Sequence, residues 1–279
     1  MKNILEEIYL STKKLIAIDL DGTLLNNKGR VSEVTSEVIT EIRDQGHKVV
    51  IATGRHTNSA LPIAEQLQLT DAVVCFNGAL VMDLEKNQAG LAHSYVQSDI
   101  KNLIELVREW GYGYITSTQH SYHIEPQFRH LMNFFTGIDT QAVETNSLGK
   151  IAQPILKTSI VGSEEEINQI ERYVQPAIPH LSAVRSGEES IDVMSRKANK
   201  GAALQWLANY YQVKQEDTIS FGNYYNDISM LKYAGTGVVV DNAPDQVKQE
   251  ADIITYSNEE NGVAQFLEEH LLRSVYARA

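Results

Sequence analysis

Two aspartates, Asp19 and Asp21, follow the apolar run Leu15 to Ile18 in the stretch KLIAIDLDGTLLN. Side chains two apart on an extended chain face the same way, so this spacing crowds two carboxylates at the end of a buried strand. At a few ångström they repel by roughly 4 kcal/mol at an effective dielectric near 20. A divalent cation removes the repulsion, and Mg²⁺, which prefers hard oxygen ligands and keeps several waters, is the ion expected on Asp19 and Asp21. One Asp19 oxygen is then free to attack phosphorus and form an aspartyl-phosphate, while Asp21 protonates the leaving oxygen and later deprotonates water. A solvated loop with two chance acids is the plainer account of the same residues.

Other polar signals stand at the ends of apolar runs: Thr53, Gly54 and Arg55 in ATGR, Asn77 and Gly78 in FNGA, and Asn223, Asn226 and Asp227 in FGNYYND; a further one, Lys200 in NKG, opens a helix. Ligands of open parallel sheets bind beyond the carboxyl ends of the strands, so these loops belong on one rim. The elements between them fit that placement. LIAID, HKVVIATG and AVVCFNG read as buried strands. SEVTSEVITEIRDQG reads as a helix with Ser32 as N-cap, Val34, Val38, Ile39 and Ile42 on one face and Gly46 as its stop, and NSALPIAEQLQL reads as the next helix. Apolar strands separated by helices predict a doubly wound, mostly parallel α/β sheet.

The middle of the chain changes pattern. The helix SDIKNLIELVREWG, with Ile100, Leu103, Ile104 and Val107 along one stripe, precedes two short amphipathic strands, YGYITS and SYHIE. ILKTSIVG then leads to SEEEINQIERYV, where Ser163 and Glu166 form a capping-box pattern, and LSAVRSG and SIDVMS are two strands joined by a GEE turn. The sequence predicts a core of residues 1–83 and 194–279 interrupted by an inserted α+β cap, 84–193, with hinges near Met82–Asp83 and Ser195–Arg196. The N-terminal stretch MKNILEEIYLSTKK reads as a short extra helix or a frayed leader.

With 279 residues, 43% of them hydrophobic, the chain can bury a large core. A formal net charge of -12 repels nucleic acid and anionic membranes, so neither is an expected partner. An anionic substrate then needs local positive potential. The single cysteine, Cys75, excludes an intrachain disulfide framework and fits a buried structural thiol in a reducing cytoplasm. The histidines show no metal-ligand spacing, and His120 and His123 are expected to flank a strand and face solvent. The tyrosines of NYYQV and NYYND are expected to pack or cap the core.

Asp19-x-Asp21-Gly22-Thr23, Thr53, Lys200 and Asn226-Asp227 together resemble the four motifs of the haloacid dehalogenase superfamily. CFNGA and the large insert are similar to its Cof-type branch of sugar-phosphate and small phosphate-ester phosphatases. The resemblance implies a Mg²⁺-dependent phosphatase acting on a small phosphorylated metabolite, as a monomer or weak homodimer. It implies that Thr53 holds a phosphoryl oxygen, although for that residue taken alone a turn threonine before Gly54 is the better account. Lys200, a cation at a helix start where the dipole disfavours it, would neutralise Asp19 and the transferring group. Gly22, Gly54, Arg55, Asn77 and Gly78 would contact substrate, with a surface arginine and a tight turn as plainer explanations of Arg55 and Gly78. Asn223 stands where the family usually has a metal-binding aspartate. Asp19, Asp21, Asn223 and Asp227 are the expected metal ligands, with Asn226 behind them. A phosphomutase or phosphotransferase, or a phosphate-ligand binder of little activity because of Asn223, are the alternatives.

Overall fold

The structure is a computed structural model that describes residues 13–134, 142–144 and 151–272. The expectation for the N-terminal stretch falls on residues 1–12, outside the described residues. The first sheet has eight strands. These are β1 (Leu15–Ile18), β2 (Lys48–Ala52), β3 (Ala72–Cys75), β4 (Leu80–Asp83), β5 (Gln88–Ala92), β12 (Thr218–Gly222), β13 (Thr236–Val240) and β14 (Ile253–Thr255), in the order β14-β13-β12-β1-β2-β3-β4-β5. All neighbours pair in parallel from β14 to β3, and β4 and β5 add antiparallel.

Alternation along the strands decides what each end carries. Ile16 and Ile18 of β1 enter one apolar layer with Val38, Ile39 and Ile42 of helix α1 (Glu33–Asp44) and Ala60 and Ala64 of α2 (Thr57–Gln66). Leu15 and Ala17 enter the layer on the opposite face, with residues of α5 (Lys200–Tyr210) and α6 (Ile228–Tyr233). Continuing the period of two, Asp19 points toward the start of α5, where Lys200 waits. Ser32 caps α1 as expected, accepting from Thr35 N, but Val34 is exposed and Thr35 takes the buried position.

The second sheet lies between β5 and α5 in sequence. Its strands β6 (Gly113–Ser117), β7 (Tyr122–Ile124), β8 (Ala142–Glu144), β9 (Lys157–Val161), β10 (Leu181–Gly187) and β11 (Ser190–Ser195) run in the order β10-β11-β9-β6-β7-β8 and are antiparallel except for β7–β8. Helices α3 (Lys101–Glu109) and α4 (Glu164–Ala177) cover one face with Leu103, Ile104, Val107, Ile167, Ile170 and Val174. Ile160, Ile191 and Val193 meet them there. The alternate residues Lys157, Ser159 and Asp192 are also buried, on the opposite face. The Ser163–Glu166 capping box forms.

Two expectations need correction. The boundary at residue 84 falls inside the first sheet, because Gln88–Ala92 pair with β4. Residues Met82–Asp83 are therefore strand and not a hinge, and the second unit begins only after Ala92. His123 lies within β7 and is buried, its Nε2 3.0 Å from Ser121 Oγ. Among the described residues no helix is long and apolar enough to cross a membrane.

Candidate active site

The motif loops meet at the carboxyl ends of β1, β2, β3 and β12. β1 is flanked by β2 on one side and β12 on the other, which is the switch point where such sheets bind ligands. Asp19 N extends the ladder to Phe221 O at 3.0 Å, fixing the aspartate's backbone. Its Oδ1 accepts from Lys200 Nζ at 2.6 Å, and the same ammonium donates to Asp227 Oδ1 at 2.6 Å. Lys200 and Asp227 are fully buried and Asp19 is 5% exposed. Asp227 Oδ2 accepts from the Asn223 and Tyr224 amides at 2.9 and 3.0 Å.

Two buried carboxylates thus share one ammonium. Burial works against the charge of Lys200, but Asp19 and Asp227 together hold its affinity for the proton above the ordinary lysine value. One carboxylate must bear the remaining cost. Burial and then the charge of Asp227 push Asp19 up to about 7, against the opposing pull of Lys200.

The Asp21 carboxylate is engaged by Arg55. It is 60% exposed and accepts from Arg55 Nε at 2.8 Å and Arg55 Nη2 at 2.5 Å. Its main-chain oxygen faces inward instead. The tip of the Asn223 side chain lies 3.1 Å from Asp21 O, 3.3 Å from Asp19 Oδ2 and 3.2 Å from Thr23 Oγ1. With its NH₂ toward this corner, Asn223 donates to all three. With its oxygen inward, oxygens of Asp19, Asp21 and Asn223 converge with no proton between them, a donor set that a hard cation satisfies. Two of the expected side-chain ligands are thereby reassigned. Asp21 offers its main-chain oxygen, and Asp227 is taken up by Lys200 and two amides. Among the described residues no group of three or more His, Cys, Asp and Glu side chains could hold a metal ion. Gly22 makes room for this corner: at φ +75 a Cβ would lie 2.5 Å from the Asn223 amide.

A cavity of about 470 Å³ opens over Asp19, Asp21, Gly54, Arg55, Asn77, Asn223 and Asn226. Thr53 is buried beneath it, its Oγ1 accepting from Arg55 N at 3.1 Å. Asn77 is buried with φ 52, accepts from Asn226 Nδ2 at 2.9 Å and donates to Asp192 Oδ2 at 2.9 Å. Gly78 does not line the cavity. At φ +96 it packs on the main chain of Asn199, whose oxygen a Cβ would meet at 2.3 Å, so it serves the seating of α5 and Lys200. Gly78→Ala is expected to lower the melting temperature by an amount equivalent to about 2–4 kcal/mol. A melting temperature within 1 °C of wild type would show that the contact is not tight.

The second sheet supplies the opposite wall, with Ser117, Tyr122, Lys157, Ser186, Glu188 and Asp192 among its residues. The sequence reading missed all of these. Lys157 and Asp192 alone carried a signal, as polar residues alternating with apolar ones in KTSIV and SIDVMS. Tyr224, expected to pack, also lines the cavity, as does His56. Burial, and then the charge of Lys157, lowers His56 to about 4. The His56 ring, 4.5 Å from that of Tyr122, is therefore a neutral surface. Cys75 is buried, and burial raises its thiol far above the ordinary value, which leaves it no role as a nucleophile.

The family model described as haloacid dehalogenase-like hydrolase matches residues 16–267. The chain is 33% identical over 265 residues to the 5-amino-6-(5-phospho-D-ribitylamino)uracil phosphatase YitU of Bacillus subtilis, covering 92% of this chain and 97% of the relative. It is 27% identical over 281 residues to the pyridoxal phosphate phosphatase YbhA of Escherichia coli, covering 94% of this chain and 100% of that one. A crystal structure of a haloacid dehalogenase-like hydrolase from Bacteroides thetaiotaomicron matches at a TM-score of 0.83 and 28% identity, covering 92% of this chain and 99% of the other.

Proposed function

The chain belongs to the haloacid dehalogenase-like hydrolases and is a phosphatase, and from that premise we propose that it hydrolyses a small phosphorylated metabolite through an aspartyl-phosphate on Asp19, with Mg²⁺ as cofactor. The observation that carries this reading is the split environment of one carboxylate. Asp19 Oδ1 is pinned by Lys200, while Oδ2 faces the corner formed with Asp21 O and the Asn223 side chain. Asp19, the Asp21 main-chain oxygen and Asn223 would hold Mg²⁺. The ion, when bound, neutralises charge on the phosphoryl oxygens and lowers the proton affinity of Asp19.

The remaining work falls to side chains of the chain itself. Asp19 attacks phosphorus, and Lys200 favours its ionised form against the opposing effects of burial and Asp227. The Thr53 hydroxyl and Arg55 hold phosphoryl oxygens. Arg55 is engaged with Asp21 at both carboxylate oxygens. An arriving phosphate competes for that guanidinium and frees the Asp21 carboxylate to take up a proton from solvent, which it delivers to the leaving oxygen; the carboxylate so regenerated then takes a proton from the attacking water. The unit carrying the second sheet acts as a cap that narrows the site and excludes bulk water. The two relatives above are named for phosphate esters that contain a nitrogen heterocycle. The rings of His56, Phe76, Tyr122 and Tyr224 on this cavity suit a planar leaving group of similar size.

The test is turnover of a panel of phosphate monoesters with Mg²⁺ and with EDTA, together with acid-quenched mass spectrometry of the enzyme. The expected result is Mg²⁺-dependent phosphate release and a transient phosphoryl mass on the peptide bearing Asp19. Absence of both across the panel would favour a phosphate-ligand binder.

Asn223 contributes an uncharged ligand, and charge count is a main lever on affinity for a hard cation. Asn223→Asp is expected to tighten Mg²⁺ binding about tenfold, or roughly 1.4 kcal/mol, read from the Mg²⁺ dependence of the melting temperature. The half-saturating Mg²⁺ for activity should fall in parallel. An unchanged midpoint in both titrations would remove residue 223 from the metal corner.

A further inference from the structure

Lys157 and Asp192 are an ion pair in the second sheet, 3.0 Å apart, with side chains only 9% and 3% exposed. Such a pair is a weak source of stability, since desolvation offsets most of its attraction. What the two residues touch is more informative. Lys157 Nζ donates at 2.9 Å to the main-chain oxygen of Gly54, the residue between Thr53 and Arg55. Asp192 Oδ2 accepts from Asn77 Nδ2 at 2.9 Å, and Ser159 Oγ holds its Oδ1 at 2.6 Å.

Asn77 is a hub. Its N–H donates to Thr53 O at 3.0 Å, the Phe76 N–H donates to Arg55 O at 3.0 Å, and its side-chain oxygen accepts from Asn226. Phe76 and Asn77 are consecutive non-glycine residues in the left-handed region, at φ 51 and 52. Such a conformation persists only where surrounding contacts over-determine it, and here the contacts come partly from the other sheet.

We propose that Lys157 and Asp192 are positioning residues for the reaction. They fix the loops of Thr53, Arg55 and Asn226 from the inserted unit, so that docking of that unit and assembly of the phosphoryl-holding loops are one event. This rests on the phosphatase reading above. Its consequence is that losing the pair lowers turnover by the same factor for every ester, whatever the leaving group. A residue that merely recognises the leaving group raises KM for large esters and spares small ones.

The experiment uses the full chain with Lys157→Gln/Asp192→Asn, which removes both charges together and leaves neither buried alone. Ser159→Ala, which deletes one bond to Asp192 and no charge, is the second variant should the first fail to fold. The substrates are acetyl phosphate, p-nitrophenyl phosphate and pyridoxal phosphate, and hydrogen exchange of the Phe76 and Asn77 amides is followed alongside. In the charge-free pair, kcat is expected to fall tenfold or more, alike on all three esters, with KM changed less than threefold. Exchange at Phe76 and Asn77 is expected to quicken at least tenfold while that of β12 stays the same. In Ser159→Ala the same pattern is expected at about threefold. A KM rise confined to pyridoxal phosphate, or unaltered exchange at both amides, overturns the proposal. If exchange quickens but the wild-type chain hydrolyses none of the esters, the phosphatase reading falls and takes the catalytic role of the pair with it.

Discussion

Asp19→Asn is expected to abolish turnover, with a loss on the order of 10⁴-fold, while the fold survives. The amide is nearly isosteric and still accepts from Lys200, but it has no oxygen able to attack phosphorus. Activity within tenfold of wild type would end the nucleophile assignment. The same variant carries a stability signature. In the folded metal-free chain the Asp19 carboxyl keeps its proton up to about 7, against an ordinary 3.8. Between those values the folded state binds more protons than the unfolded one, so this group's contribution is present below about 4 and is lost as pH rises through 7. Asparagine removes that dependence. In EDTA, Asp19→Asn should therefore melt above wild type at pH 8, and the advantage should fade toward pH 4.5. A difference independent of pH would mean that Asp19 is ionised throughout. Saturating Mg²⁺ should reverse the ranking at pH 8, because only the wild type presents the charged ligand.

Lys200→Met should be the most damaging single change to stability. Lys200 is wholly buried and is within 2.6 Å of both Asp19 and Asp227. Methionine fills similar space but leaves two buried carboxylates without a cation. Breaking such a pair costs about 3–5 kcal/mol, and activity should fall by roughly 10³-fold or more with the loss of charge at the transferring group. The deficit has a direction in pH. Without Lys200, Asp19 is raised further and takes up a proton on folding across a wider range, so the variant recovers stability as pH falls from 8 to 5. Mg²⁺ should restore part of the loss at neutral pH. A variant as stable as wild type at pH 8 in EDTA would mean that the two carboxylates do not depend on Lys200.

Where these residues sit was largely legible in the chain. Asp19 closes a fully apolar four-residue strand, and the alternation that sends Leu15 and Ala17 to one face sends Asp19 there too. Lys200 was marked by its misfit at a helix start, and Asn77 by its place at a strand end. The side-chain directions were not legible. Asp21 follows Asp19 by two, yet the chain leaves the strand at Leu20 and turns through Gly22, and Arg55, 34 residues on, captures Asp21. Asp227 was read as a metal ligand because spacing cannot reveal that its oxygens are already claimed. β5 escaped notice because QAGLA is mostly exposed and carries no apolar alternation. The wall built by Lys157, Asp192 and Tyr122 depends on how two sheets face each other, which no local pattern encodes.

The central position of β1 also sets a schedule for the molecule's own synthesis. Leu15 pairs with Lys48, 33 residues on (48 − 15), but its other neighbour is Thr218, 203 residues on (218 − 15). The two partners stand 170 residues apart (218 − 48), so at ribosomal speeds of 5–20 residues per second roughly 9–34 s separate the two pairings. For that interval one edge of the most apolar strand lies open, and open apolar edges recruit other chains. Asp19 likewise stands without Lys200, which emerges only after the whole inserted unit. The arrangement that gathers residues from distant parts of the chain on one rim therefore leaves the half-made protein with an open apolar edge until β12 arrives.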